Sequence, residues 1–312
     1  MCWRLPTALS ERNQSTAELS AFLTDTRRLV DEVVGEWADR VAREYPAPLG
    51  AAMAYALASP GKRLRPILVI AVHRALGGAG PIERVAAAVE VVHSYSLVHD
   101  DLPCMDDDDL RRGRPTVHRK FGVPIATAAG HRLIPLAGRV LADGATALGL
   151  PEHTLGVLGV ELFRAAGVCG MVGGQALDLR AEGRALTLEE LTEMHRRKTG
   201  LLIAASAVMG ALAAGAVRET VAAVRGYGEE IGLAFQIADD LLDQSATSVE
   251  LGKTAGKDAR HDKPTFATVL DPAAARGVAL GCVARAVAHL RAGRIDSSLL
   301  HELASFVVNR RS

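Results

Sequence analysis

Aromatic side chains are scarce in this 312-residue chain, at 4% of the sequence, and alternating apolar–polar runs are hard to find. That argues against a fold built from strands, which favour aromatic and β-branched residues at period two. Cysteine is also sparse. The four present (Cys2, Cys104, Cys169, Cys282) are scattered without ligand-like spacing. They argue against a disulfide framework and a zinc site, and they fit a reducing cytoplasm. There is no net charge, with Lys+Arg and Asp+Glu at 36 each, so no global field recruits nucleic acid or an anionic membrane. Met1 to Leu19 mixes polar and charged residues and lacks the apolar stretch of a secretory leader. Only Thr199–Val217 is long and uncharged, between Lys198 and Arg218. Its Ala and Gly suit a helix packed closely on all sides inside a large helical protein, and no membrane span is expected.

What is present is helical periodicity. Over Ile82–Val98, apolar residues fall at Val85, Ala88, Val89, Val92, Tyr95 and Leu97, close to a three-four spacing. Thr187 followed by Glu190 has the pattern of a capping box opening a helix over Leu188–His195. Residues 218–243 and 272–293 also read as helices. Breaks fall at Ser59-Pro60-Gly61, at 77–81, at Gly113–Pro115, at Gly149–Pro151 and at Asp271-Pro272. None is a long linker. The expectation is one all-α domain of about ten helices over residues 18–312, behind a frayed tail at 1–17.

Two acidic clusters follow apolar helical runs. The first is Asp100-Asp101-Leu102-Pro103-Cys104-Met105-Asp106, continuing as Asp107, Asp108 and Asp109; the second is Asp239-Asp240-Leu241-Leu242-Asp243. Spacings of three and four place Asp239, Asp240 and Asp243 on one helical face, where like charges repel. A divalent cation would remove that conflict. Asp100 and Asp106 are six apart, but Pro103 disfavours continued helix and lets Asp106 swing back. All candidate ligands are carboxylates, too few for a closed cage. That suits Mg²⁺, which keeps waters and completes its shell with phosphate oxygens.

Beside the first cluster lies Leu110-Arg111-Arg112-Gly113-Arg114-Pro115-Thr116, and a second basic cluster, Gly61-Lys62-Arg63-Leu64-Arg65-Pro66, enters an apolar run. Guanidinium forks next to metal-binding carboxylates are what a diphosphate pocket needs. Further motifs follow in order: Gly-Gly-Gln-Ala-Leu-Asp-Leu at 173–179, Lys-Thr-Gly at 198–200, Leu-Gly-Lys-Thr-Ala-Gly-Lys-Asp at 251–258 and Lys263-Pro264-Thr265.

From about Leu49 to the C-terminus these segments resemble the trans-polyprenyl diphosphate synthase family, nearest in pattern to its bacterial farnesyl branch. The resemblance implies a single orthogonal helical bundle of the isoprenoid synthase type around a central apolar tunnel. It implies condensation of isopentenyl diphosphate with an allylic diphosphate, and a homodimer. Asp100, Asp106 and Asp239 would hold three Mg²⁺ around the allylic diphosphate, with Asp101, Asp240 and Asp243 counted among the metal-site carboxylates. Arg111, Lys198, Lys253 and Lys263 would contact that diphosphate. Lys62, Arg65, His93 and Arg112 would hold isopentenyl diphosphate, with Arg63 counted in the same motif. Thr199, Gln236 and the Lys198 carbonyl would face the allylic cation.

Tyr95 and Ser96 lie about one helical turn before Asp100 and are placed to floor the product tunnel. In the family an aromatic here, with two extra residues between the aspartates, accompanies a fifteen-carbon product; geranylgeranyl diphosphate is the alternative. Relatives commonly carry Gly-Asp-Ala-Leu where this chain has Gly130-His131-Arg132-Leu133. A terpene cyclase on the same architecture would need no 61–66 basic motif, and a non-catalytic partner subunit typically loses aspartates from one cluster. Both features are intact here.

Overall fold

The computed structural model describes residues 8–245 and 264–309, with side chains over 17–243 and 264–309. Its elements are α1 (Ala8–Glu44), α2 (Leu49–Leu57), α3 (Leu64–Ala75), α4 (Ile82–Asp100), β1 (Leu110–Arg111), β2 (Arg114–Pro115), α5 (Val117–Phe121) and α6 (Val123–Ala147). There follow α7 (Glu152–Ala166), α8 (Met171–Ala181), α9 (Leu188–His195), α10 (Leu201–Ala213), α11 (Arg218–Ser245), α12 (Phe266–Val269), α13 (Pro272–Ala292) and α14 (Ser298–Asn309). Among the described residues the only β-structure is the two-residue antiparallel ladder of β1 and β2. The all-α expectation holds. Helix α1 begins inside the segment expected to fray, where Ala8, Leu9, Glu11 and Arg12 are good helix formers.

Local chemistry sets the boundaries. The Thr187 capping box forms: Glu190 N donates to Thr187 Oγ1 at 3.2 Å, and Thr187 N donates to Glu190 Oε2 at 2.9 Å. Asp271 accepts from Ala273 N and Ala274 N at 3.0 and 2.9 Å, with Pro272 in the first turn where its missing N–H costs nothing.

Two apolar clusters share the interior. One gathers α1, α2, α4 and α6; the other gathers α11, α13 and α14; α3 and α10 contribute to both. The uncharged stretch is α10, buried from Leu202 to Ala213 except at Leu212. Each fully buried Val, Leu, Ile or Met there contributes about 1.5–3 kcal/mol, so this helix anchors the bundle. Glu152–Ala181 and Pro272–Ala292 are long and apolar enough to cross a bilayer by length and composition alone, a test that core helices also pass.

Candidate active site

Helix α4 stops at Asp100, as the Pro103 argument requires. The chain then turns back: Asp106 N donates to Asp100 O at 2.8 Å and Asp108 N to Asp101 O at 3.3 Å. The bend returns Asp106 to the helix end. Burial pushes the Asp100 carboxyl up to about 6; Lys198 opposes that rise, and the neighbouring Asp106 adds to it. Two neighbouring carboxylates, one of them deeply buried, present the condition a divalent cation relieves.

Asp101 is committed to protein. Arg111 approaches it with Nε at 2.7 Å and Nη2 at 2.5 Å, and Nη2 also reaches Asp108 Oδ2 at 3.1 Å. The β1–β2 turn presents both Arg111 and Arg112, the latter at φ +53°.

Lys198 and Thr199 sit in a five-residue π-helical turn, Arg196–Gly200, that joins α9 to α10. Such turns are rare and concentrate at functional sites. Helix α8 packs directly against it: a Cβ on Gly174 would lie 2.1 Å from Lys198 N, so only glycine permits the approach. The closeness lets Lys198 Nζ donate to the buried Asp178 Oδ2 while still feeling Asp100 and Asp106. Asp178 belongs to the 173–179 motif, but its part in holding Lys198 was not legible there. Its neighbour Gln175 is buried with both side-chain polar atoms lacking a partner among the described residues.

From the same turn a relay crosses to α11. Thr199 Oγ1 donates to Gln236 Oε1 at 2.9 Å, Gln236 Nε2 donates to Asp240 Oδ1 at 2.8 Å, and Phe266 N donates to Asp240 Oδ2 at 2.7 Å. Both Asp240 oxygens therefore accept a hydrogen bond from protein. Of the six candidate aspartates, Asp101 accepts from Arg111 at Oδ1 and Asp240 accepts from Gln236 and Phe266 N, contacts that steady their neighbours. Among the described residues no three His, Cys, Asp or Glu side chains close into a metal cage. The Lys198–Thr199 turn contacts both sides: Lys198 lies in the field of Asp100 and Asp106, and Thr199 bonds Gln236 on α11 beside the second cluster.

The basic motif adjoins the same site. Arg65 Nε is buried without a partner among the described residues, and Arg65 feels Asp239 as well as Glu90 and Arg112. His93 is kept neutral, its pKa held well below the ordinary value by burial and then by Arg65, Arg112, Arg111 and Arg63. Lys62 is exposed at the edge of this cluster. Arg112 Nη1 donates to Pro60 O and Arg114 Nη1 to Ala58 O at 2.9 Å, clasping the two basic loops together. Between them lies a small cavity of about 40 Å³, lined in part by Ser94, Asp101, Arg111 and Arg112. Arg65 thus lies in the field of Asp239 from the second acidic cluster, and Arg111 pairs with Asp101 of the first.

Arg63 is held from three sides. It adopts φ +53° at the N-terminus of α3 and turns inward: Nε donates to Asp31 Oδ1 at 2.7 Å, Nη1 to Glu90 Oε1 at 2.5 Å and Nη2 to Ser59 O at 2.9 Å. Three of its five N–H groups are taken by protein, and Arg63 also lines the small cavity beside Arg111 and Arg112.

Tyr95 and Ser96 are both buried on α4. Tyr95 OH donates to Ala166 O at 3.2 Å, and its ring meets His99 edge-on at 6.0 Å between centroids. His99 in turn contacts His131 at 5.3 Å and packs over Gly130, where a Cβ would lie 2.1 Å from His99 Nε2. The unusual His131 therefore ends a row of three rings. Ser96 Oγ donates to His93 O at 2.9 Å within its own helix. Lys253 and Lys263 lie outside the described residues.

The polyprenyl synthetase family model matches residues 46–277. The chain is 37% identical to farnesyl diphosphate synthase of Bacillus subtilis (strain 168), over 95% of this chain and 99% of that one. It is 42% identical to farnesyl diphosphate synthase of Escherichia coli (strain K12), over 84% and 89% respectively. Among solved structures, the geranyltransferase of Helicobacter pylori complexed with magnesium and isoprenyl diphosphate superposes with a TM-score of 0.79 at 30% identity, over 98% of both chains. With that breadth of match, and a site built from the same motifs that suggested it, this chain belongs to the polyprenyl synthetase family.

Proposed function

We propose that this protein is a short-chain trans-prenyltransferase that condenses isopentenyl diphosphate with dimethylallyl or geranyl diphosphate to give farnesyl diphosphate. What supports this reading is that each acidic cluster lies in the field of buried cations from the basic motifs and the Lys198 turn: Asp100 in that of Lys198 and Arg111, Asp239 in that of Arg65. Ion binding falls to Asp100, Asp106, Asp239 and Asp243. Asp101 aims Arg111 and Asp240 steadies the Thr199–Gln236 relay. Bound Mg²⁺, three ions in this reading, would neutralise the diphosphate as it departs.

The chain's own side chains do the rest. Lys198 and Arg111, with Lys253 and Lys263, bind the allylic diphosphate and stabilise the charge it gains when the allylic C–O bond breaks. The electron pair of that bond leaves with diphosphate. Thr199 and Gln236 turn oxygen dipoles toward the resulting cation, and the apolar wall around Tyr95 keeps water away. Lys62, Arg65, His93 and Arg112 hold isopentenyl diphosphate so that its double bond attacks the cation and forms the new C–C bond. The proton then lost passes to the released diphosphate. Val157, Val160 and Phe163 on α7, with Val168 and Val172 beyond it, form an exposed apolar face that suits a second copy of the chain. The enzyme is read as cytoplasmic, without nucleic-acid partners or a membrane span.

Incubation with Mg²⁺, isopentenyl diphosphate and geranyl diphosphate tests the reading. Chain extension to a fifteen-carbon diphosphate, abolished by Asp239→Ala, is expected. A cyclised hydrocarbon, or no turnover, would overturn it.

A further inference from the structure

Beneath the basic loops lies a carboxylate that none of the motif assignments uses. Glu90 sits in the middle of α4 within Ala86-Ala87-Ala88-Val89-Glu90-Val91-Val92, where every flanking side chain is apolar and buried. Such a position is costly for an ionised acid unless it is paired. Here it is: Arg63 Nη1 donates to Glu90 Oε1 at 2.5 Å, with the two side chains only 4% and 3% exposed.

The reach of this acid extends beyond its direct partner. Arg65 and Arg112 are each flanked by other guanidiniums and partly stripped of water, and for both of them Glu90 is the leading favourable charge. His93 lies three residues along the same helix, and Ser94 Oγ donates to Glu90 O at 2.9 Å. Arg63, pinned by Glu90 from within, Asp31 from α1 and Ser59 O from its own loop, fixes the left-handed residue between Lys62 and Leu64. That backbone turn sets where Lys62 leaves the loop and where α3, with Arg65 in its first turn, begins.

We infer that Glu90 is the positioning residue of the isopentenyl diphosphate pocket: its buried charge pins Arg63 and offsets Arg65 and Arg112, so that Lys62, Arg65 and Arg112 converge on the incoming diphosphate. The inference rests on the assignment of Lys62, Arg65, His93 and Arg112 to isopentenyl diphosphate. Glu90 touches no substrate. It acts through the arginines, and its effect is therefore confined to one of the two substrates.

Steady-state kinetics of Glu90→Gln, with each substrate varied in turn, make the test. KM for isopentenyl diphosphate should rise at least about tenfold, the size of one hydrogen bond to a charged group. KM for geranyl diphosphate should stay within about twofold, because Lys198 and Arg111 keep Asp178 and Asp101 as partners. A merely unfolded fraction lowers apparent kcat and leaves both KM values in place, and that result would overturn the inference. An equal rise in both KM values would overturn it as well. Arg65→Gln is the control: if it leaves KM for isopentenyl diphosphate unchanged, the pocket assignment itself falls. Should Glu90→Gln fail to fold, Asp31→Asn carries the test, because Asp31 is half exposed and holds the other edge of Arg63. KM for isopentenyl diphosphate alone should then rise about threefold, and no change would refute the role.

Discussion

Replacing Tyr95 with Ala separates product length from general packing. Tyr95 is buried, its hydroxyl donates to Ala166 O, and its ring meets His99. Truncating a buried aromatic to Ala costs about 3–5 kcal/mol, so the variant should melt well below the parent. The companion Tyr95→Phe keeps the ring and strands only the Ala166 carbonyl, at about 1–3 kcal/mol. Product length should part the two variants. One helical turn advances about 5.4 Å, close to one extended isoprene unit. Removing the ring one turn before Asp100 should therefore admit one more condensation, moving the main product from fifteen to twenty carbons. Tyr95→Phe should still stop at fifteen. Labelled isopentenyl diphosphate, dephosphorylation and chromatography of the alcohols give the distribution directly. If Tyr95→Ala folds and its products match those of the parent, the ring is ordinary core and the reasoning fails.

Two further outcomes follow from the site. Gly174→Ala drives a Cβ into the Lys198 backbone; overpacking of this kind costs about 1–3 kcal/mol, and kcat should fall sharply as the Lys198–Thr199 turn shifts, measured beside thermal melts. The second concerns Asp100, whose folded pKa of about 6 exceeds the unfolded carboxyl value of about 3.9. The folded state then binds the proton more tightly, so in chelator this group lowers stability as pH rises from about 4 to about 6. Asp100→Asn should therefore raise the melting temperature of metal-free protein at pH 8, by up to about 2–3 kcal/mol of stability, with no gain at pH 4, while activity is lost. A variant no more stable than the parent at pH 8 would contradict the burial-driven rise assigned to Asp100.

Patterned segments were readable in advance. The Thr187–Glu190 box, the Asp271-Pro272 start and the Pro103 stop each follow from chemistry within a few residues, and each formed where expected. Roles that depend on a partner far along the chain were harder to read. Arg63 sits among the cations of the basic motif, and its side chain turns to Asp31 and Glu90, 32 and 27 residues away. Asp101 and Asp240 repeat the pattern of metal ligands, and nothing in that pattern announces that Arg111, Gln236 and Phe266 N donate to them. Glu90 left one trace, a lone acid in an apolar helix, which signals a buried pair without naming the partner.

The order of residues by itself determined the helical class, the ends of most helices, the two carboxylate clusters and the family resemblance. These depend on local propensity and on spacing along a single helix. Tertiary structure alone decided which charge meets which: Lys198 on Asp178 through the gap left at Gly174, Asp240 on Phe266, and Arg63 on Glu90. A buried charge must find its counter-charge within a few ångströms, and that distance is set by how helices cross. Spacing along the chain does not contain it.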